Sequence, residues 1–319
     1  MARTFYVEDL QDGYVEILWT VIRDGDKTAP RGLATREVRD ATIVVQDPEN
    51  GVPTAVGRKL NRKIGAAETA QLIAGVSDLA QLDSASSGRF SRYADGGRLR
   101  GAYGPRLYNQ LGPLITKLSD DPDTRQAHAV IWRPDDNRRE TKDLPCTISL
   151  GFAIRKDRLY MTTHMRSNDI WLGLPYDAWM FTRLQMTLAY CLGIEIGTYT
   201  HMADSLHIYD SNLLATESIL VQRGGPRFTP PSFAPLRNMD GYVSEDPLTR
   251  LMVCRTAAEV AVRGSYRRGS EDIVDPWYYD TLHPHVSLDS FKCLSCRYIV
   301  RNDQMSNQAG TCLECGYIG

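Results

Sequence analysis

No stretch of this chain approaches the ~18–20 uninterrupted apolar residues that a membrane-spanning helix needs. The N-terminus, MARTFYVEDL, lacks the apolar core of a secretory signal peptide, so the cytoplasm is the expected location. Neither sign of charge dominates. Lys and Arg number 37 against 39 Asp and Glu, a net charge of −2, which leaves no footprint for broad, direct nucleic-acid binding. A small phosphorylated ligand would need only a local basic pocket. Internal repeats and low-complexity segments are absent too. What remains is ordinary globular composition, 42% hydrophobic and 24% charged over 319 residues. That length suits one large domain with a small appendage.

Cysteine is sparse, and four of the seven fall together. Cys293, Cys296, Cys312 and Cys315 form two CxxC pairs, CLSC and CLEC, separated by fifteen residues. In a cytosolic chain such pairs read as a metal site, not as disulfides. Four thiolates at about 2.3 Å around one structural zinc make a zinc ribbon. The expected division is therefore a domain over residues 1–285 and a ribbon-like tail over 286–319.

Along the chain, YVEILWTVI (14–22) is an apolar run suited to an early strand, and 24–38 reads as a polar loop. ATIVVQDPENG predicts a strand and a turn, and AAETAQLIAGVSDL a helix. Residues 83–101, rich in Ser, Gly and Arg, predict a loop. YNQLGPLITKL predicts a helix; AHAVIWRP, CTISLGFAI and DRLYMTTHM predict strands. DAWMFTRLQMTLAYCLG carries the strongest helix signal and reads as buried. EIGTYTHMADSLHIYD alternates as a strand does; SNLLATESILVQRGG and DPLTRLMVCRTAAEVAVRG return to helix. Strands and helices mix without strict alternation, so the fold class is α+β.

Residues 144–177 are the most informative segment. Pro145-Cys146 is followed by Arg166-Ser167-Asn168-Asp169, then by Leu172-Gly173-Leu174-Pro175-Tyr176-Asp177, and finally by His207-Ile208-Tyr209. This pattern resembles the thymidylate synthase family, over about residues 12–265. The resemblance implies a mixed β-sheet with packed helices, and a homodimer with its sheets back to back. It implies a pyrimidine nucleoside monophosphate as substrate and 5,10-methylenetetrahydrofolate as one-carbon donor. Cys146 becomes the nucleophile that adds to ring carbon 6, its thiol pKa depressed by Arg166. Arg166, Ser167 and Arg31 would bind phosphate, joined by Arg125 reaching across the dimer; the family's next arginine is Gln126 here. His207 and Tyr209 would bond the sugar 3′-hydroxyl. Glu68 would organise proton transfer. Asp169, Leu172, Gly173 and Tyr103 match the stretches that contact folate and base.

One residue departs from the pattern in an informative way. Where the family carries Asn to read uracil, this chain carries Asp177. Cytosine offers an amino donor and a bare ring nitrogen, so a carboxyl that accepts from one and shares a proton with the other suits it. The same exchange marks the deoxycytidylate hydroxymethylases. Asp177 also reads as an N-cap opening the helix that begins AWMFT. The family's Trp-x-x-Trp is Phe90-Ser-Arg-Tyr93 here, and the His after the nucleophile is Thr147, which leans toward water rather than hydride as the final reactant. The expected activity is deoxycytidylate 5-hydroxymethylation, in a host's cytoplasm if the chain is phage-encoded. Cytidylate hydroxymethylation, deoxycytidylate 5-methylation and thymidylate synthesis stand as alternatives. A zinc-ribbon binding protein on an inactive synthase scaffold is the non-enzymatic one.

Overall fold

The computed structural model describes residues 2–53, 58, 60–138, 140–221 and 246–264, and the backbone of 290–292 and 299–301. The four CxxC cysteines lie outside these residues. A short antiparallel pair, Ser290–Lys292 with Ile299–Arg301, is all that is described of the tail.

The main body is a mixed sheet. In sequence its strands are β1 (Arg3–Val7), β2 (Asp26–Thr28), β3 (Thr35–Val45), β4 (His128–Val130), β5 (Thr147–Arg155), β6 (Arg158–Met165), β7 (Asn168–Asp169) and β8 (Glu195–Tyr209). Spatially the order is β1-β3-β8-β6-β5-β4, with β2 on β3 and β7 on β8. β6 and β8 run parallel, as do β1 and β3, and β7 and β8; the other pairs are antiparallel. The helices are α1 (Leu10–Asp24), α2 (Arg62–Ala74), α3 (Leu79–Ser86), α4 (Tyr103–Asp120), α5 (Leu174–Leu192), α6 (Leu213–Val221) and α7 (Pro247–Gly264).

Residues 14–22 are helical, not a strand. Leu10, Tyr14, Ile17, Leu18 and Val21 recur at helical spacing and are all buried. Asp9 caps this helix by accepting from the Asp12 N–H at 2.8 Å. The expected 24–38 loop contains β2, and β3 begins within it. The helix read across 66–79 breaks at Gly75, whose φ of 74° ends α2 in a left-handed turn. Residues 83–86 finish α3 instead of starting a loop, and AHAVIWRP yields only the three residues of β4.

Alternation along β6 and β8 sets the core. Leu159, Met161, Met165, Tyr199, Ala203 and Leu206 are buried. Helix α5 packs on the sheet's core with Phe181, Leu184 and Leu188. The intervening positions Tyr160, Thr162, His164, Thr200 and Met202 remain partly or well exposed. No described helix is long and apolar enough to cross a membrane.

Candidate active site

A cavity of about 210 Å³ opens between α2, the start of α4, the segment before β5 and the start of α5. Cys146, Glu68, Asp177, Phe90, Tyr93 and Tyr103 all line it. Six of the residues expected from sequence therefore meet in one place, although they span more than a hundred positions. Tyr103 stacks on Phe181 of α5 at 5.9 Å, which fixes its ring against the cavity wall. Phe90 and Tyr93 sit on a single 3-10 turn; Tyr93 is 50% exposed, so it screens the cavity only in part.

Cys146 immediately precedes β5. The pairing of β5 with β6 shifts register between Thr147 and Ser149, a bulge of the kind that re-aims side chains beside sites. The Ile148 carbonyl accepts from both Ile131 and Trp132 N–H groups, at 2.9 and 3.1 Å. Across the ladder, the Arg166 N–H donates to the Cys146 carbonyl at 2.9 Å. The Arg166 guanidinium donates to the carbonyls of Pro145 and Leu144, at 3.0 and 3.3 Å, and comes within 3.9 Å of the Cys146 sulfur. It also lies over the Trp132 ring at 5.4 Å.

The thiol pKa was expected to be depressed by this arginine. Instead it is raised: burial outweighs the pull of Arg166, and Asp177 and Asp143 add to the rise while Arg31 opposes it. Arg31 itself sits on the 3-10 turn Pro30–Gly32 with a φ of 56°, a left-handed conformation that costs a non-glycine residue energy.

Glu68 and Asp177, two of the three carboxyls that line the cavity, are held toward their neutral forms. Burial, then the charge of Asp177, pushes Glu68 up to about 8. Burial raises Asp177 to about 7, against a lowering hydrogen bond from Asn168. A carboxylic acid near its midpoint at neutral pH can donate through one oxygen and accept through the other. Asp177 is not an N-cap. α5 begins three residues earlier, after Gly173 and with Pro175 in its first turn, so Asp177 lies inside the helix with its N–H on the Gly173 carbonyl at 3.0 Å.

A second group lies beside the cavity, along β7 and the end of β8. Asp169 pairs in register with His207. One Asp169 carboxylate oxygen accepts from the N–H groups of Trp171 and Leu172, at 2.7 and 3.0 Å. The other is buried with no hydrogen-bond partner among the described residues. The His207 ring packs edge-on against Tyr209 at 5.3 Å. Ser167 follows Arg166, half-buried, and Leu172 is 45% exposed. Arg125 is exposed on the loop between α4 and β4 and is not among the residues lining the cavity.

Residue-by-residue reading of the sequence missed Asn168, Tyr199 and His201, which lie behind Asp177. It also missed Asp143, which lines the cavity and accepts from the Gly101 N–H at 2.7 Å. The available signal was a buried-phase histidine in the alternating TYTHM stretch. Gln71, which also lines the cavity, clamps α2 to the start of α3 through Asp78 and Gln81, at 2.6–2.9 Å.

A helix-covered mixed sheet with a thiol and three carboxyls in one cavity defines a class, the thymidylate synthase-like fold. The same architecture occurs in the thermostable thymidylate synthase A from Bacillus subtilis, with TM-score 0.58 and 20% identity over 68% of this chain and 85% of that one. The chain belongs to the thymidylate synthase family, whose profile matches residues 12–234. It is similar to the deoxyuridylate hydroxymethyltransferase of Bacillus phage SP01, 36% identical over 228 residues, covering 65% of this chain and 59% of that protein. It is also similar to the deoxyuridylate hydroxymethyltransferase of Delftia phage PhiW-14, 31% identical over 187 residues, covering 54% and 52%. The chain thus spans little more than half the length of these two relatives.

Proposed function

We propose that this chain 5-hydroxymethylates deoxycytidylate, with 5,10-methylenetetrahydrofolate as one-carbon donor and water as the source of the hydroxyl. The observation that carries this reading is Asp177: a carboxyl, not an amide, shares the cavity with Cys146 and stays near half-protonated at neutral pH. The Cys146 thiolate adds to ring carbon 6 and makes carbon 5 nucleophilic. Asp177 accepts from the cytosine amino group and passes its proton toward the ring nitrogen as negative charge builds there. Glu68, raised by burial, takes part in removing the proton from carbon 5. Arg166, Ser167, Arg31 and a partner chain's Arg125 hold the phosphate; His207 and Tyr209 hold the sugar.

The folate supplies a carbon at the formaldehyde oxidation level when bound. The buried, unpartnered oxygen of Asp169 fits a ring N–H donor, and exposed Leu172 offers apolar cover. Tyr93, smaller than the family's tryptophan and half-exposed, leaves room for water to complete the reaction.

A second reading is deoxyuridylate 5-hydroxymethylation, favoured by the printed names of the two phage relatives. Protonated Asp177 can donate to the uracil carbonyl and accept from its ring N–H, as an asparagine would. Tritium release from carbon 5 of dCMP, dUMP and CMP, with product mass, separates these readings. A product of dCMP plus one CH₂O unit supports the first. A product from dUMP alone, or one bearing a methyl group, defeats it. The proposal includes a homodimer through the sheet face that carries Tyr160, Thr162, His164, Thr200 and Met202, and one zinc per chain in the 286–319 tail, to be checked by sedimentation and metal analysis.

A further inference from the structure

Behind Asp177 runs a single file of buried polar groups. The Asn168 amide nitrogen donates to Asp177 Oδ2 at 2.7 Å. The Asn168 oxygen lies 3.0 Å from His201 Nε2. His201 Nδ1 lies 2.9 Å from the Tyr199 hydroxyl, which is itself 3.2 Å from the Thr163 hydroxyl. All four of these supporting residues are buried, Asn168 at 2% exposure. Burial also keeps His201 neutral, with its pKa lowered to about 3. A neutral imidazole carries one proton. Facing an amide oxygen, that proton belongs on Nε2, with Nδ1 beside the Tyr199 hydroxyl. The Asn168 amide is therefore held in one orientation, with its NH₂ toward Asp177.

Gly173 supplies a second, independent sign that this contact is built. A Cβ there would stand 3.1 Å from Asn168 Nδ2 and 3.2 Å from Asp177 Oδ2, so any side chain would crowd the pair. The loop leaves room for the bond.

The consequence concerns the base. A neutral carboxylic acid is ambidextrous. With its proton on one oxygen it matches a donor–acceptor edge, and with the proton on the other it matches the reverse edge. Cytosine and uracil present those two opposite edges. We propose that Asn168 is a specificity-determining positioning residue: by donating to Asp177 Oδ2 it confines the proton to Oδ1, so that Asp177 reads one pyrimidine edge and rejects the other. This rests on Asp177 being the base reader, whichever base is preferred. It assigns Asn168, with His201 and Tyr199 behind it, a role in discrimination.

Other groups act on Asp177 as well. Asp169 of β7 raises it electrostatically, and Asp177 in turn acts on Glu68 of α2, Tyr103 of α4, Cys146 and Tyr199 of β8. None of these donates to Oδ2 among the hydrogen bonds of the described residues; only Asn168 does.

The test compares wild type, Asn168→Ser, Tyr199→Phe and Asp177→Asn by tritium release from dCMP and dUMP, as kcat/KM from about pH 5 to about pH 9. Asn168→Ser should reduce the preference for the favoured nucleotide roughly tenfold, the order set by one buried hydrogen bond. It should also move the falling limb assigned to Asp177 to higher pH, because the lost donor no longer favours the carboxylate. Tyr199→Phe removes one hydroxyl but keeps the ring packed. It should shift both readouts the same way by less, and it serves where the serine variant folds poorly. If Asp177→Asn leaves preference and limb untouched, the base-reader assignment falls, and this inference with it. If Asp177→Asn moves them while the folded Asn168 and Tyr199 variants keep the wild-type ratio and limb, Asn168 is merely structural and this inference alone is overturned.

Discussion

Two buried polar sites in this molecule treat charge in opposite ways. Arg106 of α4 and Asp136 of the 3-10 turn Pro134–Arg138 meet at 2.5 and 3.0 Å, and Asp136 also accepts from the Arg133 N–H at 2.8 Å. Arg106 spends its other hydrogen bonds on the carbonyls of Ile131 and Arg100, so opposite charges and donors are matched. In the cavity, burial lifts Glu68 and Asp177 toward neutrality, with the charge of Asp177 adding to the rise at Glu68 and the charge of Asp169 adding to the rise at Asp177. The first arrangement ties the 131–138 segment to α4. The second keeps protons available at neutral pH, at a cost in stability. Matched burial serves the fold; mismatched burial serves chemistry.

That contrast can be broken at either site. The largest effect falls on the thiol. Cys146→Ser should lower turnover on the order of 10⁴-fold or more while leaving nucleotide binding nearly intact, measured by tritium release and by equilibrium binding. The ion pair should give the largest stability effect. Arg106→Leu strands a buried carboxylate and should cost about 3–5 kcal/mol in denaturant unfolding, with the double change Arg106→Leu/Asp136→Leu recovering much of it.

Glu68→Gln should split the two properties. Turnover should fall on the order of 10²-fold. Stability should move the other way. A carboxyl whose folded pKa, about 8, lies above its unfolded value favours the fold most at low pH, and that advantage is lost as pH rises through about 8. The glutamine variant should therefore be more stable than wild type at pH above about 8, by about 2 kcal/mol, and show a flatter stability profile. A variant no more stable than wild type there would remove the mismatch from the account.

The corner formed by Cys146 and Arg166 was legible in sequence because its parts lie on one β-hairpin joined by the short Lys156-Asp157 turn. The direction of the thiol shift was not legible. Sequence reveals the neighbouring arginine but not the burial that outweighs it. α1 was misread because β-branched and aromatic residues crowd 14–22, although Tyr14, Ile17, Leu18 and Val21 already carry the helical period within that run. Asp177 read as a helix cap because AWMFT looked like a start, yet Pro175 already lies within the first turn. Asn168 and His201 are 33 residues apart, and only the parallel pairing of β7 and β8 brings their ends together. The tail's CxxC pairs remain a sequence reading, outside the described residues.

The most direct measurement of the central claim is the base preference of Asp177→Asn. The variant replaces a carboxyl that can shift its proton with an amide that cannot. Its kcat/KM ratio for dCMP over dUMP should fall roughly 5- to 150-fold, the range for one mismatched buried hydrogen bond, and its alkaline limb near pH 7 should disappear. An unchanged ratio, with the limb still near pH 7, would contradict the assignment of Asp177 as the residue that reads the base.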